Sequence, residues 1–153
     1  MEDCLFCSIA AGKIPSTKVY EDDTVYVFKD IAPIAPIHYL LIPKQHIACA
    51  ADITPENSGV VAHIYEVAAQ IAAKEGISDG FRIITNCGEN AGQTVHHLHF
   101  HMLAGVKMGQ GICSGSGIII TQGQRWELVF GKQFPRLVLT LRKESPDGTF
   151  QIC

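Results

Sequence analysis

One short segment restricts the fold of this chain more than any other. Residues 97–103 have the sequence HLHFHML, in which three histidines alternate with bulky apolar side chains. Successive side chains of an extended strand point to opposite faces, so the run predicts a β-strand that carries His97, His99 and His101 on one face. A half-buried strand can alternate in this way by chance. Three neighbouring imidazoles on a rigid strand are costly unless they bind a ligand or do chemistry, so the run predicts a functional site.

The composition is that of one globular domain able to bury such a strand. The chain has 153 residues, of which 47% are hydrophobic and 18% are charged. A net charge of -3 argues against charge-driven binding to nucleic acid. No apolar run approaches the roughly 18 residues of a membrane span, and the first residues, MEDC, lack the basic region of a signal peptide. We therefore expect a cytoplasmic protein without nucleic-acid or membrane partners.

The hydrophobic pattern predicts an α+β fold. Residues 38–42 are almost wholly apolar and predict a central strand, and the histidine run is expected to pair with the preceding strand as an antiparallel hairpin. Thr54-Pro55-Glu56 indicates the start of a long amphipathic helix that ends before Gly76. The result is a five-stranded antiparallel sheet with one long helix and a short N-terminal helix. The other predicted elements are a helix over 6–11 and strands over 18–21, 24–29 and 81–86.

The pattern changes after the histidine run. Residues 109–117 are rich in glycine and serine and indicate a linker, and the chain beyond them carries more basic than acidic residues. Strand character returns over 118–120, 127–130 and 137–141, without a recognisable catalytic group. We predict a domain over residues 1–108 and a Gly/Ser-rich, basic C-terminal extension over 109–153, to which no function is assigned.

Cysteine spacing suggests a metal site at the N-terminus. Six cysteines would allow disulfides in a secreted protein, but the absence of an export signal favours reduced thiols. The CxxC spacing of Cys4 and Cys7 then indicates half of a metal site. A thioredoxin-type redox pair is the alternative, although such a pair follows a strand and only three residues precede Cys4.

Together these motifs resemble the histidine triad (HIT) family, and in particular its Hint-like branch of nucleotide hydrolases. The family signature of alternating histidine and apolar residues is complete over 97–103. Supporting matches, in the expected order and spanning about residues 4 to 105, are Phe28-Lys29-Asp30, Ala35-Pro36-Ile37-His38, Ile42-Pro43-Lys44-Gln45-His46 and Gly92-Gln93-Thr94. An ordered set of this kind is more specific than any single motif.

The resemblance implies a covalent mechanism. His99 would attack the α-phosphate of a nucleotide, expel the leaving group and form a nucleotidyl-histidine that water then hydrolyses. His101 would contact the phosphate and deliver a proton to the leaving group, with His38 and Thr94 completing the catalytic set. A histidine buried in the core is the alternative for His38.

The resemblance also implies a nucleoside pocket for a purine, AMP-type substrate. Asp30 would accept hydrogen bonds from the ribose hydroxyls, because each carboxylate oxygen can take one. The expected apolar walls and phosphate-side contacts are Phe28, Ile31 and Ile9 for the base, and Asn86, Gly92 and Gln93 for the phosphate. A turn cap is the alternative for Asp30, and a turn-forming residue for Asn86.

Zinc and a homodimer complete the expectations that follow from the resemblance. Zinc-containing branches of the family use four residues that this chain matches, Cys4, Cys7, His46 and His97, so a structural zinc ion is expected. Without zinc, His97 would orient the site by hydrogen bonding. Hint-like proteins commonly form homodimers across the long helix and the adjoining strand. The chain departs from the family after the triad, where a Trp-Pro-Pro-Gly-like ending is replaced by the extension.

Several functions remain open at this point. The favoured one is hydrolysis of nucleoside 5'-phosphoramidates, a phosphoramidase activity. Within the same family, the alternatives are dinucleoside polyphosphate hydrolysis and nucleotidyl transfer. From other classes, the alternatives are a nucleotide-binding regulatory protein without turnover and a metallohydrolase that holds its ion on the three histidines. The sequence does not select the leaving group or the base.

Overall fold

A computed structural model describes residues 4–109 of the chain. These residues form a five-stranded antiparallel sheet in the order β1-β2-β3-β5-β4, with one long helix and one short one. The predicted α+β class is confirmed. The elements, in chain order, are α1 (Leu5–Ala10), β1 (Lys18–Glu21), β2 (Val25–Lys29), β3 (Ile37–Pro43), α2 (Gly59–Glu75), β4 (Phe81–Ile84) and β5 (Phe100–Ala104), with short 3-10 turns at Ala50–Asp52 and Glu89–Ala91.

The middle of the sheet is β3, as its apolar sequence predicts. Every residue of β3 after Ile37 is buried, and the strand pairs with β2 on one side and β5 on the other. The predicted pairing of the histidine segment with β4 is also confirmed, since β4 runs antiparallel to β5. The strand β5, which contains the second half of the histidine segment, is therefore held between two neighbours.

The two faces of the sheet pack against different helices. On one face, α2 contributes Ile64, Val67 and Ile71 to a core that also contains Leu41 of β3. On the other face, residues of α1 pack against the alternate residues of β2 and β3 in a smaller cluster. Gly76 ends α2 in the left-handed conformation (φ 70°), which glycine adopts without a steric penalty.

Three predicted element boundaries were wrong. The long helix begins at Gly59 and not at Pro55, because Asn57 bonds the Thr54 N–H with its side chain at 2.7 Å and forms a turn there. The strand β4 ends at Ile84, before Asn86. The strand β5 begins at Phe100. Upstream of it the Leu98 N–H donates to the Ile47 carbonyl at 2.6 Å, so His97 and His99 lie in an extended segment before the strand.

Some predictions concern residues outside the described range. The predicted strands over 118–120, 127–130 and 137–141, and nearly all of the C-terminal extension, lie outside residues 4–109. Within the described range, neither helix has the length and apolar character needed to span a membrane.

Candidate active site

The alternation of the triad segment divides its side chains between the two faces. Leu98, Phe100 and Met102 lie in the core that packs against α2. The rings of His99 and His101 lie together on the opposite face, with centroids 5.1 Å apart. The apolar half of the motif therefore anchors the imidazoles in position.

Hydrogen bonding leaves one nitrogen of His99 free for chemistry. Nδ1 of His99 lies 2.7 Å from the His97 carbonyl oxygen, which can only accept a hydrogen bond. Nδ1 therefore carries the proton, and Nε2 of the neutral ring keeps its lone pair. This is the tautomer that a nucleophilic imidazole requires.

A second pair of imidazoles lies beside His99. Nε2 of His38 and Nδ1 of His101 are 2.8 Å apart. The backbone N–H of Ile34 donates to Nδ1 of His38 at 3.3 Å, so the His38 proton lies on Nε2 and is donated to His101. His101 then carries its own proton on Nε2, where it is available to a bound phosphate or a leaving group.

Burial keeps both of these rings neutral. Burial, with further repulsion from His99 and His38, lowers the pKa of His101 to about 4. Burial likewise lowers the pKa of His38, although the nearby Asp30 carboxylate opposes that shift. At neutral pH the chain of hydrogen bonds from Ile34 to His101 therefore consists of neutral groups.

The Asp30 carboxylate contacts both the turn after β2 and the histidine cluster. Its Oδ1 accepts the backbone N–H of Ala32 at 2.8 Å, and its Oδ2 lies 3.5 Å from Nε2 of His38. The turn cap weighed as an alternative is thus present. One carboxylate oxygen also belongs to the cluster formed with His38 and His101.

The four predicted metal ligands lie together. Ligand atoms of Cys4, Cys7, His46 and His97 are all within 4.8 Å of one another. Nε2 of His97 donates to the Pro43 carbonyl at 2.8 Å, which leaves the lone pair of Nδ1 toward the thiols. Burial lowers the pKa of His97 and favours this neutral form.

The distances in this group fit tetrahedral coordination. Nδ1 of His97 is 3.4 Å from Sγ of Cys4 and 3.5 Å from Sγ of Cys7, and Nδ1 of His46 is 3.4 Å from Sγ of Cys7. Sulfur and nitrogen ligands at tetrahedral angles around one ion, with bonds near 2.3 and 2.0 Å, are separated by about 3.5 Å. The donor set and its spacing can therefore hold a metal ion.

The glycine loop before the triad is braced by Gln93. The Gln93 side chain is only 4% exposed, and its oxygen accepts the Gly88 N–H at 2.8 Å. Its amide nitrogen donates to the carbonyls of Ala48 and Val95 at 2.7 and 2.9 Å. The side chain is thus committed to the backbone, whereas Thr94 beside it is exposed.

The remaining predicted contacts are dispersed. Phe28 and Ile9 are buried together in the cluster between α1 and the sheet. Ile31 is fully exposed on the loop between β2 and β3. Asn86 is half-buried two residues beyond β4, and Gly92 is exposed with a left-handed φ of 80°. The structure brings the histidines together but leaves Ile31 away from the buried apolar residues.

Two neighbours of the triad were not predicted. The Phe6 ring contacts His99 edge-on with centroids 5.3 Å apart and contacts His97 at 6.0 Å. The Thr85 hydroxyl donates to the His99 carbonyl at 2.9 Å. Phe6 lies between the two cysteines of the CxxC pair in the sequence, and that position could have indicated that its ring lies near His97. Nothing in the sequence marks Thr85.

Comparisons with known proteins show which family the chain resembles. Residues 3–113 match the family described as Scavenger mRNA decapping enzyme C-term binding. The purine nucleoside phosphoramidase of Escherichia coli K12 is 42% identical over 109 residues, which cover 71% of this chain and 92% of that enzyme.

Solved structures are equally similar. A histidine triad protein from Clostridium difficile has 49% sequence identity and a TM-score of 0.70, and the match covers 72% of this chain and 97% of that one. A HIT family hydrolase from Clostridium thermocellum has 48% identity and a TM-score of 0.72, with 74% and 99% covered.

Proposed function

Since the chain belongs to the histidine triad family, we propose that it hydrolyses nucleoside 5'-phosphoramidates and related nucleotide conjugates through a nucleotidyl intermediate on His99. The observation that carries the proposal is a pair of neighbouring imidazoles whose Nε2 atoms have complementary roles. Nε2 of His99 has a free lone pair, and Nε2 of the neighbouring His101 carries a proton. The similarity to a purine nucleoside phosphoramidase favours a purine, AMP-type substrate.

The first step forms the intermediate. The phosphate of the substrate is anionic and favours a cationic His101, which takes up a second proton from solvent on Nδ1. The His38 N–H can then no longer donate to that nitrogen and turns to Asp30, whose Oδ2 is 3.5 Å away. The Nε2 lone pair of His99 forms a bond to the α-phosphorus, and the phosphorus–nitrogen bond of the substrate breaks. The leaving nitrogen keeps that electron pair and takes the proton from His101.

Hydrolysis of the intermediate reverses these roles. A water molecule attacks the phosphorus, and the bond from phosphorus to His99 breaks with its electron pair returning to Nε2. The proton of the water passes to Nε2 of His101, which restores the imidazolium of the substrate complex, and the ring returns its extra proton to solvent when the product leaves. We also propose that the phosphate is contacted by Gly92, Thr94 and Asn86. Gln93 would hold the loop that carries these contacts.

The triad offers a test with a matched control. Removing the nucleophile in His99→Ala is expected to lower the hydrolysis rate of adenosine 5'-phosphoramidate by about 10³-fold or more, since no second nucleophile replaces it. His96→Ala removes an exposed histidine three positions away and is expected to retain the rate. Mass spectrometry of acid-quenched wild-type protein is expected to find the nucleotidyl adduct on His99. Full turnover by His99→Ala would overturn the proposal.

A structural zinc ion is a second part of the proposal. Cys4, Cys7, His46 and His97 supply the two sulfur and two nitrogen donors of a closed tetrahedral site. When bound, the ion fixes the N-terminal segment and the backbone of His97, whose carbonyl orients His99. Metal analysis of the purified chain is expected to give one zinc per chain. That content is expected to fall in Cys4→Ser and to be unchanged in Cys49→Ser.

The geometry bears on the alternative functions. The three triad imidazoles point to different partners, because Nδ1 of His97 lies by the thiols and Nδ1 of His99 bonds a carbonyl. Among residues 4–109, no cluster of possible metal ligands contains His97, His99 and His101 together. This disfavours a metallohydrolase on the triad. Dinucleoside polyphosphate hydrolysis and nucleotidyl transfer use the same attack at the α-phosphorus, and comparison of the rates on such substrates tests them.

We also propose a homodimer formed through α2 and the edge strand β4. Tyr65 of α2 is 52% exposed and Phe81 of β4 is 37% exposed, so both elements present an aromatic side chain at the surface. Light scattering coupled to size-exclusion chromatography is expected to give twice the mass of the chain. A monomeric mass at micromolar concentration would contradict this. A cytoplasmic location stays a prediction.

A further inference from the structure

Two cysteines outside the metal group, Cys49 and Cys87, lie close together although they are far apart in the sequence. Cys49 lies just before the 3-10 turn Ala50–Asp52, and Cys87 lies in the loop that follows β4. Although 38 positions separate them in the sequence (87 minus 49), their thiols are close enough to form a side-chain hydrogen bond. Both are free thiols in the structure. Neither contributes to the histidine site or to the metal group.

The Gln93 side chain holds the segment around Cys49 and the segment around Cys87 together. The buried Gln93 side chain accepts the N–H of Gly88, the residue after Cys87, at 2.8 Å. The same side chain donates to the carbonyl of Ala48, the residue before Cys49, at 2.7 Å. One amide group therefore spans the two segments, which keeps these backbone atoms within about 8 Å of each other. The packing therefore holds the backbone next to each cysteine near the other.

We propose that Cys49 and Cys87 form an oxidisable dithiol that closes to an intramolecular disulfide in exchange with a low-molecular-weight disulfide such as oxidised glutathione. One thiolate attacks a sulfur of oxidised glutathione, forms a mixed disulfide and releases one glutathione thiolate. The second protein thiolate attacks the protein sulfur of that mixed disulfide and releases the second glutathione. The protein loses two electrons and two protons, and one glutathione disulfide becomes two thiols.

The surroundings of the two thiols set the order of attack. Cys87 is exposed, whereas Cys49 is half-buried and donates its S–H to Oδ2 of Asp52 at 3.2 Å. That hydrogen bond, followed by the one to Cys87, raises the pKa of the Cys49 thiol. Cys87 therefore makes the first attack, and Cys49 is the resolving thiol.

The disulfide would have a structural consequence. It would close a loop that contains all of α2 and would join covalently the two segments that Gln93 now joins by hydrogen bonds. A disulfide that closes a loop of this length restricts the unfolded chain. The oxidised protein is therefore expected to melt several degrees higher than the reduced protein.

Peptide mapping of the full-length chain tests the proposal. Trypsin places Cys49 in the peptide 45–74, Cys87 in 83–107, and both Cys4 and Cys7 in 1–13. After incubation in glutathione buffers of increasing oxidised fraction and alkylation of free thiols, we expect 45–74 to appear linked to 83–107. Dithiothreitol is expected to reverse the link. Recovery of 83–107 only as a glutathione adduct, or linked to Cys113 or Cys153, at every ratio would overturn the proposal.

Single substitutions provide the controls. Cys49→Ser keeps a hydroxyl donor for Asp52 but removes the resolving sulfur, so Cys87 is expected to stop at the glutathione adduct. In Cys87→Ser, Cys49 is expected to remain mostly a free thiol during the incubation and so to be recovered alkylated, because it reacts more slowly with oxidised glutathione than Cys87 does. The rise in melting temperature on oxidation is expected in the wild type and in neither variant. An equal rise in Cys49→Ser would show that another thiol is responsible and would contradict the assignment.

Discussion

The hydrogen bond between His38 and His101 makes the pKa of His101 a direct test of the proposed relay. His38 donates to Nδ1 of His101 at 2.8 Å and so stabilises the neutral form of that ring. In His38→Leu the donor is lost while an apolar side chain keeps the site filled. We therefore expect the pKa of His101 to rise from its value of about 4.

The size of the rise follows from the strength of the bond. A hydrogen bond between neutral groups contributes about 0.5–1.5 kcal/mol net, and about 1.4 kcal/mol corresponds to one pKa unit. The substitution also removes the repulsion that His38 exerts on a charged His101. We expect a shift of about one unit, to a pKa near 5. In the free protein, His101 would then begin to protonate at a correspondingly higher pH.

Nitrogen NMR of the imidazole rings measures both the pKa and the tautomer. The chain has seven histidines, and the signal of His101 is assigned by its absence in His101→Gln. His38→Gln is the matched control, because its amide N–H can replace Nε2–H while the repulsion is also removed, and we expect a smaller rise in the pKa of His101 than in His38→Leu. An unchanged pKa in His38→Leu, or an equal rise in both variants, would refute the proposed hydrogen bond. So would a wild-type His38 protonated on Nδ1.

Three other predictions concern stability and the domain boundary. Both nitrogens of His63 face carboxylates, with Nε2 2.7 Å from Asp22, so the hydrogen bonds that the ring donates to Glu66 and then to Asp22 raise the pKa of His63. Its contribution to stability is complete below the unfolded pKa near 6.5 and is lost as pH rises through the folded pKa, so urea titrations are expected to show a loss as pH rises from about 6.5 that His63→Gln lacks. Met102 is fully buried, and Met102→Ala is expected to lower the free energy of unfolding by about 2–5 kcal/mol, against less than about 1.5 kcal/mol for Met102→Leu. A chain ending at residue 108 is expected to fold and to keep its hydrolytic rate, and loss of solubility or activity would contradict the predicted boundary.

The elements that could be predicted from sequence are those whose residues are determined by local periodicity. The apolar run of β3 and the alternation around Phe100 each specify which side chains face the core, and both were assigned correctly. The start of α2 was missed because the Asn57 side chain competes for backbone groups, and propensity rules do not weigh that competition. The strand boundary at Phe100 was missed because a tertiary bond from Leu98 to Ile47 replaces the ladder.

The candidate site shows a similar division. Histidine spacing identified the residues of the triad, but the contact between His38 and His101 joins positions 63 apart and depends on the pairing of β3 with β5. Gln93 lies in a glycine loop, a pattern typical of ligand contacts, and only its burial reveals that its amide is already bonded. The thiol pair of Cys49 and Cys87 leaves no local pattern at all.

The position of β5 has a consequence for synthesis of the protein. Among the five strands of residues 4–109, the last to be made lies between β3 and β4, so β3 lacks its second neighbour and β4 has no partner strand in the sheet until residue 104 is available. A nascent chain that stops earlier exposes an unpaired, almost wholly apolar edge on β3, which is prone to pair with other chains. The sheet therefore closes only after the segment carrying the triad has left the ribosome. Closure of the sheet and completion of the histidine site are therefore expected to occur together, and chains cut short before this point are expected to aggregate.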